Sequence, residues 1–162
     1  MSQGPFHHRA SPADRADGAR APVATRPRLG LADDDLVIQT LLSASLEHAF
    51  EVVGVAGDSE AAITLAQEQQ PDAMLVDVEM PGGGGTRAVA GIVEVAPHAA
   101  IVVLSADQSD TVVRELLEAG AVAYCRKGID TDELAGLLLG SIATRTKELA
   151  FPPSQASPGS TA

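Results

Sequence analysis

The chain places Asp33-Asp34-Asp35, Asp77, Ser105 and Lys127 at, or within two residues of, the ends of four short apolar runs: Leu29 to Ala32, Ala73 to Val76, Ala100 to Leu104 and Ala121 to Cys125. If those run ends share one edge of a sheet, two or three carboxylates crowd together. At an effective dielectric of about 20 they repel by several kcal/mol unless a divalent cation or an ammonium neutralises them. Mg²⁺ is the natural candidate, because it is a hard cation that keeps several waters and commonly takes one or two carboxylates plus a phosphoryl group. A carboxylate flanked by a cation, a hydroxyl and an ammonium is a nucleophile toward phosphorus: aspartate forms acyl phosphates, and phosphoryl transfer needs mainly positioning and charge neutralisation.

A fifth apolar run, Val52 to Ala56, joins the other four, and all have the length and, mostly, the β-branched content of strands. Amphipathic stretches at about 36–48, 58–69, 85–95, 109–118 and 130–147 follow them, with Leu, Ile, Val and Ala recurring at intervals of three and four. Five β–α units predict a doubly wound α/β fold with a five-stranded parallel sheet and helices on both faces. Such sheets carry function outside the carboxyl ends of their strands, where these acids and the lysine fall.

The 162 residues, 45% of them hydrophobic, suffice for one core and not for two. Residues 28–149 hold 7 Lys/Arg against 20 Asp/Glu, a net of −13, while the first 27 hold 4 Arg and 2 Asp, a net of +2. That acid repels phosphate backbones and anionic lipid, so direct DNA binding by this chain and a membrane role are not expected. A single Cys excludes an internal disulfide, and no 18-residue apolar run or signal-peptide pattern occurs, so a cytoplasmic location is expected. Residues 1–27 and 150–162 are rich in Gly, Pro, Ser and Ala without apolar periodicity. They are expected to be a disordered extension and a disordered tail around a domain at 28–149.

Asp33-Asp34, Leu75-Val-Asp77-Val-Glu-Met-Pro81-Gly82, Leu104-Ser105-Ala106 and Gly120-Ala-Val-Ala-Tyr124-Cys-Arg-Lys127 together resemble the receiver domains of two-component response regulators, in order and spacing, over about 28–147. The resemblance implies a flavodoxin-like (βα)5 fold with strand order 2-1-3-4-5. It implies Asp77 as phosphoacceptor, with Mg²⁺ held by Asp33, Asp34, Asp77 and the main-chain carbonyl of Glu79. Ser105 would contact the phosphoryl group, Lys127 would pair with it, and Tyr124 would be the aromatic that turns between exposed and buried positions. The partners implied are a sensor histidine kinase or phosphotransfer protein upstream, and a downstream protein or a second copy of the chain. Many receivers have Pro after the lysine; here Gly128 follows, as in the branch that commonly carries a helix-turn-helix domain, and no such segment occurs in the 13 residues after Leu149.

The alternative is a Mg²⁺-dependent phosphatase or phosphotransferase with an aspartyl nucleophile. Such enzymes usually carry a further Asp two residues on as the general acid, where this chain has Glu79, and no inserted cap domain is present to enclose a substrate. A signalling receiver with only self-phosphorylation and self-dephosphorylation chemistry is the preferred reading. Among the remaining features, Asp35 is placed to cap the first helix. Gly82 to Gly85 lack a following Gly-Lys-Ser/Thr and read as a flexible loop after the third strand. Cys125 reads as a small core residue. None of the four His has a metal-ligand spacing with Cys or another His.

Overall fold

The computed structural model describes residues 25–106 and 109–152. The expectations for the N-terminal extension up to residue 24 and for the tail from residue 153 lie outside the described residues. The order is β1 (Arg28–Ala32), α1 (Leu36–Leu46), β2 (Glu51–Ala56), α2 (Ser59–Gln69), β3 (Ala73–Asp77), α3 (Gly84–Val95), β4 (Ala100–Ser105), α4 (Asp110–Ala119), β5 (Ala123–Arg126) and α5 (Thr131–Ala150). All pairings are parallel and the strand order is β2-β1-β3-β4-β5, as expected. None of the described helices is long and apolar enough to cross a membrane.

The central strands are apolar on both sides because helices cover both faces. Every residue of β3 and β4 is buried. Alternate residues part between two cores: Met74, Val76, Ile101 and Val103 face α2, α3 and α4, whereas Leu75, Val102 and Leu104 face α1 and α5 with Leu31, Phe50 and Leu138. Aspartates start three of the helices. Asp35 Oδ1 accepts from the Val37 and Ile38 amides at 2.8 and 3.3 Å, Asp58 accepts from Ala61, and Asp130 accepts from Asp132 and Glu133.

Several element boundaries differ from the sequence expectation. Asp77 and Ser105 are the last residues of their strands rather than the first residues beyond them. The fifth strand starts at Ala123, because the Ala121 amide bonds Leu116 O and is drawn into the turn that ends α4 at Gly120. Gly84 and Gly85 are not loop but the first residues of α3. Helix α5 continues to Ala150, past the expected end near 147, where the last turns are exposed and left no apolar period to read.

Candidate functional site

Strand register brings the sequence-predicted residues to one level. Ala32 pairs with Val76, so Asp33 and Asp77 come next on neighbouring strands; Asp77 pairs with Leu104, and Ser105 pairs with Arg126, which directly precedes Lys127. β1 and β3 flank the point where the connections reverse direction across the sheet, the usual crevice of such folds.

Asp33 is 2% exposed and Asp77 0% exposed. The Asp33 amide donates to Ala56 O at 3.0 Å and its Oδ1 accepts the Asp35 amide at 2.9 Å. Asp77 Oδ1 accepts the Glu79 amide at 3.1 Å. These local bonds fix one oxygen of each carboxylate and leave the other, Oδ2, turned to the shared space. Neither Oδ2 accepts a hydrogen bond of good geometry, although Lys127 Nζ stands 2.9 Å from Asp77 Oδ2 and 3.9 Å from Asp33 Oδ2. For charge neutralisation the distance decides, so the ammonium answers Asp77 and leaves Asp33 largely uncompensated. Asp34 is exposed, and carboxylate oxygens of Asp33, Asp34 and Asp77 lie within 4.8 Å of one another.

The electrostatics follow. Burial raises the Asp33 pKa above its ordinary value, the Asp35 amide opposes this, and the Asp77 charge adds to it. Burial lowers the Lys127 pKa, but the Asp77 carboxylate in contact at 2.9 Å and the charges of Asp33 and Glu79 outweigh it, so the net shift is upward and the ammonium stays charged. The carboxylates open into a cavity of about 800 Å³ whose far wall is apolar, with Ile38, Leu41, Leu42 and Leu134.

Ser105 is buried at the end of β4, and its carbonyl accepts the Lys127 amide at 3.0 Å. Tyr124 is half-buried on β5 opposite Val103. Glu79 lines the cavity two residues past Asp77. Asp35 also reaches the cavity wall, but its side chain is engaged as the α1 cap. Cys125 is buried as expected, and burial pushes its thiol up to about 11. Gly128 has φ 89°, which a proline ring fixed near about −65° cannot adopt, so the glycine after Lys127 goes with a different turn there.

Two residues escaped the sequence reading. Gln39 is buried in α1, and its amide donates to Asp33 O at 2.5 Å, bracing the backbone that carries the acid pair; a polar residue within an apolar helical pattern was its only signal. Ser59 is fully buried and bonds the loop after β3, for which the sequence offers no local sign.

Comparison with known proteins agrees with this geometry. The response regulator receiver domain family matches residues 30–138. The chain is 36% identical to the transcriptional regulatory protein PdtaR of Mycobacterium tuberculosis over 117 residues, covering 70% of this chain and 56% of PdtaR. It is 33% identical to the response regulator GacA of Pseudomonas aeruginosa over 106 residues, covering 64% of this chain and 50% of GacA. It thus spans about half the length of these relatives. Among solved structures, the receiver domain of the putative regulator NarL from Mycobacterium tuberculosis superposes with a TM-score of 0.70 at 25% identity, covering 74% of this chain and 98% of that domain. The receiver domain of the sensor histidine kinase PA1611 from Pseudomonas aeruginosa, solved with a magnesium ion coordinated in its active site cleft, gives 0.66 at 27% identity over 74% of this chain and 99% of that one. With the family matched over most of the described domain and its acid–lysine constellation gathered at one sheet edge, this chain belongs to the response regulator receiver domains of two-component systems.

Proposed function

We propose that this domain accepts a phosphoryl group on Asp77 from a histidine kinase or phosphotransfer protein, with Mg²⁺, and that this changes its affinity for a downstream partner. The observation that supports this most is the buried Asp77 carboxylate, paired with Lys127 at 2.9 Å and adjoining two further carboxylates, one of which has an oxygen without a hydrogen bond. An orphaned buried carboxylate oxygen beside two others fits a hard dication, so Asp33, Asp34 and Asp77, with the Glu79 carbonyl, would hold Mg²⁺. Bound there, the ion would neutralise the carboxylates and the oxygens of the incoming phosphoryl group.

In this reading an Asp77 carboxylate oxygen attacks phosphorus, a P–O bond to Asp77 forms, and the bond from phosphorus to the donor's leaving group breaks. Because Lys127 covers Asp77, its ammonium must move onto the phosphoryl oxygens as the group enters. The Ser105 hydroxyl would donate to another of those oxygens, and the shift of β4's end would let Tyr124 turn inward. Water attack on phosphorus later restores the carboxylate. The role is that of a signalling receiver rather than a turnover enzyme.

Intact-mass spectrometry with acetyl phosphate tests the assignment. One phosphoryl group is expected on the wild type, only with Mg²⁺, and none on Asp77→Asn. Undiminished labelling of the variant overturns it.

A further inference from the structure

Four consecutive glycines follow Pro81, and Gly82, Gly83 and Gly84 all have positive φ (86°, 108° and 72°). Such a segment has little conformational preference of its own, yet it begins only three residues after Glu79, one of the groups assigned to the metal. Something outside the segment must hold it. Its ends are closed internally: the Gly85 amide donates to Val78 O at 2.9 Å, an approach so close that a Cβ on Gly85 would lie 2.8 Å from Val78 Cα. Its middle is held from another element. The Ser59 amide donates to Pro81 O at 3.1 Å, and the Ser59 hydroxyl reaches Pro81 O at 3.2 Å and Gly84 O at 2.9 Å.

We propose, resting on the metal reading above, that Ser59 at the start of α2 is a positioning residue for the metal site: it clasps the Pro81–Gly84 carbonyls and so fixes the backbone that presents Glu79. The Ser59 amide serves Pro81 O and the single hydroxyl proton goes chiefly to Gly84 O, the nearer acceptor, so one fully buried residue holds both ends of the turn. A neighbouring polar contact from α2 to α3, the Arg87–Glu60 ion pair, is more than half exposed on both sides and is screened by solvent. Ser59 is fully buried. It touches no reacting group; it acts on the site through the loop, as outer partners of metal ligands generally do.

The test is a graded series, Ser59→Cys and Ser59→Ala, against Ser141→Ala. Ser141 is also buried, but its hydroxyl donates within its own helix to Leu137 O. All three variants should lose some stability. Only the Ser59 series should speed hydrogen exchange at the Gly85 amide in the metal-free protein and weaken Mg²⁺ binding, by about tenfold for Ala and less for Cys. Unchanged Gly85 exchange and unchanged Mg²⁺ affinity in Ser59→Ala, with stability lost as in Ser141→Ala, would overturn the clasp. A wild type that binds no Mg²⁺ removes the metal reading instead, and the Gly85 exchange rates then decide the clasp separately.

Discussion

Val76 and Asp77 are consecutive residues of β3, both 0% exposed, and they act in opposite senses. Val76 packs with Met74, Ile101 and Val103 in a sheet face covered by α2, α3 and α4, where burial is all gain. Asp77 takes its charge to the same depth, where it repels Asp33 and is matched by Lys127 alone among the described cations within 4 Å. The same contrast recurs on β4 between Leu104 and Ser105. Strand interiors make the fold stable, and their last residues give up some of that stability to hold carboxylates that a ligand can use.

The largest test of this contrast is on the interior. Ile101→Ala removes a fully buried side chain from β4, and urea denaturation should show a loss of about 2–5 kcal/mol. A loss under about 1 kcal/mol would mean that the two cores share stability differently from their burial.

Next is the ionisable residue that lies on the interior side of the boundary. The Cys125 thiol is raised to about 11 from an ordinary 9.0. A group whose folded pKa is raised contributes its full stability below the unfolded value and loses it as pH rises through the folded one. Stability should therefore fall between about pH 9 and pH 11, by up to about 2–3 kcal/mol. Cys125→Ala should lack that part of the slope, and identical slopes in the two proteins would contradict the buried-thiol reading.

At the edge the pH dependence has the same sign, and what reverses is the effect of removing the group. The Asp33 pKa is raised, so in the metal-free protein its charge costs stability once pH passes above that pKa. Asp33→Asn keeps the acceptor for the Asp35 amide and removes the charge. Without Mg²⁺ it should be more stable than wild type at neutral pH by about 1–3 kcal/mol, while Mg²⁺, which should stabilise the wild type, should no longer do so. Destabilisation by this substitution in metal-free buffer would break the comparison.

The smallest effect belongs to the surface. Glu60→Gln breaks the exposed pair with Arg87 and should shift stability by less than about 0.5 kcal/mol, vanishing at high salt. A larger change in thermal melting would mean that this pair carries more of the α2–α3 contact than the buried packing of Ala62 and Ala66 against Ala88 and Ile92 allows.

The sequence by itself determined the five β–α units and the positions of the acids and the lysine. Both are carried by near neighbours: runs such as Ala100 to Leu104 are apolar throughout because parallel strands are covered twice, and Asp35 caps the helix that it precedes. Strand order and the pairing of functional roles came from the resemblance to a family, since periodicity does not say which strands are adjacent. Only the tertiary structure decided the rest. Lys127 lies closer to Asp77 than to Asp33, Gln39 braces the Asp33 backbone, and Ser59 reaches a loop more than twenty residues away. The last turns of α5 are exposed and left no apolar period to read. Local patterns record which face of an element is buried; the partner that meets a polar group is set by strand register and helix packing, which join residues that the sequence keeps far apart.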